Sequence, residues 1–392
     1  MKLKKNLKII SVAAVFFITA TVSLFADFMT SPTWGYALDL PEGFRLVQKE
    51  GNSRYLFQSE ILPVDVQIAL YPQTQFKTID EAAQHIFTQL SAKKQITSFI
   101  WRDKPALNAT LSFTADNKQM TGRLLTLQLA DEKGWLVLLS YCEKEAEKRC
   151  EPLMLSALDA VFTDGASFFT PGPITTAAYP KKGLEKKTVS FHESKISVLF
   201  DKNDGQANQA VVDREFSILT LYRQNPEKVQ AAWQRYYRMI YRDAWDRLAQ
   251  FSFAIGTALP KEAKKDARKT AARILTWLQG FQYKRNPAGS DFINIPDAAI
   301  EKKGDCDVRG VLMAVVLQQM GIDTILMVSP QKSHALAAVD CKGEGARFQY
   351  NKKQYLIAET TASVEIGKIA ADLADPALWF GVDFYTPQPN AE

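Results

Sequence analysis

Gly304-Asp305-Cys306-Asp307-Val308-Arg309-Gly310 is the stretch on which the reading of this chain turns. It lies where a polar loop becomes a long apolar helical pattern. From Val308 to Met320 nearly every residue is apolar or small, and Gly321 falls where a helix C-cap glycine belongs. Asp305 is a good N-cap type, which places Cys306 at the first helical position. A thiol there meets the positive end of the helix dipole and unpaired backbone N–H groups. Both favour the thiolate, so Cys306 is expected to be a nucleophile.

The residues that a nucleophilic thiol needs come next. Ile322–Val328 reads as a strand, Ser329–Ser333 as a turn, and His334–Asp340 as a second strand opening on a histidine. A polar loop, 342–353, precedes a third strand, Gln354–Thr360, that carries Glu359 near its end. A cysteine at a helix start, a histidine on one strand and a carboxylate on its neighbour make the order that thiol-based acyl transfer requires. Histidine takes the proton from sulfur, and the carboxylate fixes the imidazole tautomer. Each residue alone has an ordinary structural reading: a buried thiol, a strand-end histidine, a strand-end carboxylate. Cys341 follows His334 by an odd number of residues, so in a regular strand the two face oppositely. Cys341 is therefore expected to be a free or surface thiol rather than a partner of Cys306.

Over roughly 226–380 the chain resembles the bacterial transglutaminase-like superfamily, relatives of the papain-like cysteine proteases. The resemblance rests on Gly304-Asp305-Cys306, Gly321-Ile322, Ser333-His334-Ala335, Tyr355-Leu356-Ile357-Ala358-Glu359-Thr360, and Trp277–Tyr283 upstream. Two departures stand out. Glu359 occupies a position where aspartate is usual, and Thr361 ends a threonine pair in place of proline-threonine. The resemblance implies Cys306 as nucleophile, His334 as general base then acid, and Glu359 as the group orienting His334. The backbone N–H of Cys306 is a natural oxyanion donor, and Tyr283 or Gln282 could add a side-chain donor; packing for Tyr283 and solvent exposure for Gln282 are their structural readings. The expected activity is acyl transfer on amide or peptide bonds, by hydrolysis (peptidase or amidase) rather than transfer to an amine. The competing expectation is a non-catalytic envelope protein that binds a peptide, a glycan or a protein partner. No metal or organic cofactor is implied, and a redox role lacks a Cys-x-x-Cys motif.

The chain's start suggests where this chemistry would operate. Lys2, Lys4, Lys5 and Lys8 precede a mostly apolar stretch, Ile9–Phe25, and Ala26 offers a small residue for cleavage. Residues 1–26 are thus expected to be an export signal or, uncleaved, an N-terminal anchor. The remainder is placed in the periplasm or outside the cell, with the membrane as a partner only if that segment is retained. The chain is +5; taking away the four signal lysines leaves +1, which gives no argument for nucleic acid.

About 366 residues remain, enough for two domains and a connector. The expected fold class is α+β: an N-terminal antiparallel-sheet domain, 27–163, then a transglutaminase-like, papain-like α+β domain, 226–385. In the first, Val64, Val66, Ile68 and Leu70 alternate as a half-buried strand, and Thr78 with Glu81 forms a capping box for a helix. Strands 123–129 and 135–141 flank a turn at 131–134, and a helix at 151–161 closes the unit. Its opening, Tyr36–Phe44, looks like the start of Mog1/PsbP-like domains. No catalytic cluster is found there. His85 and His192 read as surface residues, and Cys142 with Cys150 reads as a disulfide candidate in an oxidising compartment. Residues 164–187 read as a linker and 188–225 as a β-rich connector, with Phe216, Ile218 and Leu221 suggesting a strand. Helices are expected from Asn225-Pro226 and over 261–281, the first with an aromatic stripe (Trp233, Tyr237, Tyr241, Trp245) read as core.

Overall fold

The computed structural model describes residues 28–285 and 290–384 of the 392-residue chain. The export segment, 1–26, and residue 385 of the expected C-terminal domain lie outside the described residues. The molecule is α+β, and its named strands pair antiparallel. It divides into two compact units. One runs to Ser167 and includes Gly172–Ala178; the other holds Phe168–Pro171 and the chain from Tyr179 onward.

The first unit is built on a seven-stranded sheet in the order 44–50, 54–59, 65–72, 134–143, 118–128, 104–115, 93–101. Helix Ile79–Leu90 is capped by Thr78, whose side chain accepts the Glu81 N–H. The Glu81 carboxylate reaches back one residue further than expected, to the Lys77 N–H. Ile79, Ala82, Ala83, Ile86 and Phe87 seat this helix against Tyr71, Leu111, Trp135 and Leu139. Strand Asp65–Pro72 is buried on both faces rather than one, since Gln67, Ala69 and Tyr71 are covered as fully as Val66, Ile68 and Leu70. The closing helix spans Glu147–Asp159, and Val161 belongs instead to a short strand paired with Tyr36–Leu38.

The stretch expected as a linker is ordered. Helix Pro173–Ala178 belongs to the first unit, where the buried Asp159 carboxylate accepts the N–H groups of Ile174 and Thr175 and the Thr175 hydroxyl. The second unit opens with the hairpin Leu184–Phe191 and Ser194–Asp201. Helix Asp204–Leu219 then replaces the strand expected near Phe216. Its buried residues Ala207, Asn208, Val211, Val212, Glu215, Ile218 and Leu219 recur at helical spacing, which outweighs the short alternation at its end. Helix Val229–Arg247 starts after a turn in which the Asn225 side chain accepts the Lys228 N–H. Tyr237 and Tyr241 of its aromatic stripe are core, while Trp233 and Trp245 are half-buried. The helix expected over 261–281 is two, because Asp266 caps a fresh start at Ala267.

The rest of this unit is a five-stranded sheet, ordered 347–350, 353–358, 334–339, 324–329, 380–382. Helix Cys306–Gln319 lies on one face, and the other packs Ile325, Met327, Leu336, Tyr355, Ile357 and Trp379. The helix is buried from Val308 to Leu317, so its apolar composition all round fits its central place. Gly310 allows that seat: a Cβ there would stand 2.4 Å from Leu326 Cδ1. Gly321, with φ +78°, ends the helix as the sequence expects, and the Ile322 N–H returns to the Leu317 carbonyl.

Candidate functional site

The N-terminus of helix Cys306–Gln319 meets the start of strand His334–Val339. Asp305 caps the helix, its carboxylate accepting the Val308 N–H at 3.2 Å, which makes Cys306 the first helical residue. Gly304 is required before it: φ is +153°, and a Cβ would lie 2.6 Å from Val308 Cγ1. The Cys306 sulfur is hydrogen-bonded to Asp307 Oδ1 at 3.1 Å, and Asp307 Oδ2 accepts the Tyr237 hydroxyl at 2.5 Å. The Ala335 N–H also reaches the sulfur, so Cys306 abuts the residue next to His334.

The expected thiolate is corrected by these surroundings. Cys306 is 3% exposed. Burial first, then the charges of Asp307 and Asp305 and the bond to Asp307, push its thiol far up; the Ala335 N–H pulls the other way. The helix start is present, but two acids and the loss of water outweigh a dipole that acts on partial charges. Cys306 rests as a thiol. Asp305 is itself affected: burial, then the Asp307 charge, pushes its carboxyl up to about 7.

A stability test follows from Asp305. A folded pKa of about 7 against an ordinary 3.8 means the folded state holds a proton that the unfolded chain releases. The resulting stabilisation is complete below about pH 4 and is lost as pH rises through about 7. Asp305→Asn keeps the cap and has nothing to ionise. The variant should gain on the wild type across that window, by up to about 4 kcal/mol at neutral pH, each pKa unit being worth about 1.4 kcal/mol. Urea unfolding of both proteins at pH 4, 5.5 and 7.5 checks this (pH values chosen to bracket the window).

His334 and Glu359 meet as the sequence expects. His334 Nε2 and Glu359 Oε2 lie 2.8 Å apart, which leaves Nδ1 as the second ring nitrogen. The other carboxylate oxygen accepts both the N–H and the hydroxyl of Thr361, each at 2.7 Å. Glu359 and Thr361 therefore work together, the glutamate carboxylate being held by the threonine two residues on. Burial pushes Glu359 up, but the bonds from His334 and Thr361 outweigh it and hold the carboxyl below its usual range. Gln279 fixes the same loop by donating to the carbonyls of Glu359 and Val364.

Arg309 was not singled out from the sequence, yet it holds the site's frame. It is 2% exposed, and its guanidinium donates to the carbonyls of Gly304 (3.0 Å), Thr360 (3.1 Å) and Phe281 (2.9 Å). Those carbonyls belong to the segments before Cys306, after Glu359 and at the end of helix Ala267–Gln279. The signal was available: an arginine inside an otherwise apolar helix must find carbonyls or acids to be buried.

The two side-chain oxyanion candidates are not brought to the sulfur by any described contact. Tyr283 is 52% exposed and its hydroxyl accepts from Arg285. The Gln282 side chain is exposed, while its backbone bonds to Lys302 and Gly304 in the loop ahead of Cys306. Among described contacts, the amide facing the sulfur is that of Ala335, beyond reach of sequence reasoning. Cys341 is free but buried, not at the surface. Cys142 and Cys150 are free thiols buried in mutual hydrogen-bonding contact, the adjacency that a disulfide would need. His85 is half-buried against Tyr71 and Phe76, and half-buried His192 bonds to the Arg273 carbonyl; neither is the surface residue expected.

No family model matches the chain, and comparison with curated proteins finds no match. Among solved structures it is similar to cyanobacterial PsbP from Synechocystis, at 9% identity over 38% of this chain and 98% of that one, TM-score 0.29. The Ran-binding protein Mog1p of Saccharomyces cerevisiae gives 8% identity over 37% and 98%, TM-score 0.28. A Bacteroides thetaiotaomicron protein gives 10% identity over 82% and 88%, TM-score 0.25. The Mog1/PsbP likeness read from the opening motif is seen again, at scores that bear on nothing further; none of the three is described as a transglutaminase. Among the described residues no helix is long and apolar enough to cross a membrane.

Proposed function

We propose that the second unit is a transglutaminase-like cysteine-nucleophile domain that hydrolyses amide or peptide bonds outside the cytoplasm. The observation that carries this reading is the His334–Glu359 pair at 2.8 Å beside a helix-start cysteine whose sulfur meets the next residue's amide. Rotation about the Cα–Cβ bond of Cys306, from Asp307 toward His334, is the first step required. His334 Nδ1 then takes the thiol proton and sulfur attacks the carbonyl carbon. The C–N bond breaks as His334 returns that proton to the leaving amine. Water, deprotonated by His334, splits the thioester, releasing the acid and restoring the thiol. Glu359 keeps the imidazole in the required tautomer throughout.

A second reading has its own support. The 3% exposure of Cys306 and its bond to Asp307 suit a domain that keeps this frame to bind a peptide, glycan or protein partner without turnover. Alkylation with iodoacetamide near neutral pH, resolved by cysteine, separates the two. In an enzyme Cys306 should react faster than Cys341, and His334→Ala should abolish the difference. Equal, slow labelling of both would favour the binding reading. Profiling of peptide amides with wild type and Cys306→Ala would then identify the substrate class.

A further inference from the structure

The second unit carries an apolar and cationic surface apart from the Cys306 site. Seven large apolar side chains stand exposed among the described residues, and three of them, Leu184, Leu199 and Phe253, belong to the opening hairpin and helix Ala249–Ala258. Phe253 is 78% exposed, an unusual setting for phenylalanine. Leu199 and Phe253 line one open groove, where strand Ser194–Asp201 runs beside that helix. Lys186 pairs across the hairpin with Leu199, and Lys195 with Ser190, on the face turned away from buried Val189, Phe191, Val198 and Phe200.

The outward charges of this hairpin face are cationic. Its outward residues are Leu184, Lys186, Thr188 and Ser190 on one strand, and Lys195, Ser197 and Leu199 on the other. Asp201 ends the second strand, but it is buried and its carboxylate accepts the N–H groups of Lys182, Gly183 and Asn203. Glu193, in the turn, is 91% exposed and 3.9 Å from Arg273, so an acid stands at the rim of this face. The exposed residues of helix Ala249–Ala258 (Ala249, Gln250, Phe253, Thr257) are uncharged, and Lys264 donates to the Thr257 carbonyl at its far end. Aromatic and aliphatic side chains flanked by Lys186 and Lys195 match the interface of a bilayer, apolar groups among the acyl chains and ammonium groups at anionic headgroups.

We propose that this face docks on an anionic phospholipid surface, with Phe253 and Leu199 inserting and Lys186 and Lys195 meeting headgroup phosphates. The proposal is independent of the activity of Cys306. The test is co-sedimentation of the full chain with phosphatidylcholine vesicles, with and without phosphatidylglycerol. Binding should require phosphatidylglycerol and weaken as salt rises. Lys186→Glu with Lys195→Glu should lower partitioning at least about tenfold, and Phe253→Ser should lower it by a similar factor, with circular dichroism unchanged. Equal binding to both vesicle types overturns the proposal, and so does phosphatidylglycerol-dependent binding that these substitutions leave unchanged, since the four lysines and apolar run of residues 1–26 would give that alone. So does a wild-type dimer that Phe253→Ser dissociates without any vesicle binding, since the face would then be covered by a second copy.

Discussion

Replacing Arg309 with methionine is expected to cost the second unit about 3–5 kcal/mol of stability. The guanidinium is buried and satisfies three loop carbonyls, those of Gly304, Thr360 and Phe281. Methionine fills much of the volume but donates nothing, so three acceptors lose their partner in a place that water barely reaches. Each unsatisfied buried group costs about 1–3 kcal/mol, and partial hydration of the looser segments keeps the sum below the maximum. Burial lowers the pKa of Arg309, while Asp305, Tyr283, Cys306 and Glu359 raise it, so part of the loss is electrostatic. Arg309→Lys should recover only part of the loss, because an ammonium cannot span three carbonyls set around a planar fork. Urea unfolding, following the second unit's transition separately, measures both variants. A loss under about 1 kcal/mol for methionine would show that the loops are held by other contacts.

Much of this frame could be read along the chain. The helix from Cys306 was legible because its cap, its apolar run and its closing glycine all agree, and local agreement of that kind is what specifies an element. Three strands of the second sheet, Thr324–Ser329, His334–Val339 and Lys353–Ala358, were legible from their β-branched and apolar runs, and the His334–Glu359 meeting from their places on neighbouring strands. Arg347–Tyr350 was missed inside the polar loop expected over 342–353, its strand being set by pairing with Lys353–Ala358, and Phe380–Val382 is too short to carry a pattern. Helix Asp204–Leu219 was missed because Phe216 and Ile218, with Leu221 beyond them, suggest a strand, while the helical stripe includes Asn208 and Glu215, polar residues buried through tertiary partners. The ionisation of Cys306 was missed for a similar reason. It depends on a side chain one residue away turning back to the sulfur, and on Tyr237, far upstream, closing over that acid. Neither spacing nor composition encodes which way Asp307 points. The Thr361 brace is local, two residues from Glu359, but it shows only once the chain is seen to turn there.

Asp307 gives the second large effect: Asp307→Asn is expected to speed alkylation of Cys306 at neutral pH by at least about tenfold. The wild-type thiol lies so far above its usual range that the thiolate is scarce, and the rate should climb with pH through the alkaline range without a plateau. Asparagine removes the charge that opposes the thiolate, and its side-chain carbonyl can still accept the Tyr237 hydroxyl. Desolvation, the largest cause of the shift, is untouched, so the variant should stay less reactive than a free thiol. An unchanged rate in a folded Asp307→Asn protein would mean that burial alone silences the sulfur. A faster rate separates the two readings of the domain when joined to His334→Ala. If His334 accepts the proton, the gain should shrink in the double variant, because the freed proton has lost its destination. If the frame only binds, the two substitutions should act independently, since Asp307 and His334 would then share no step.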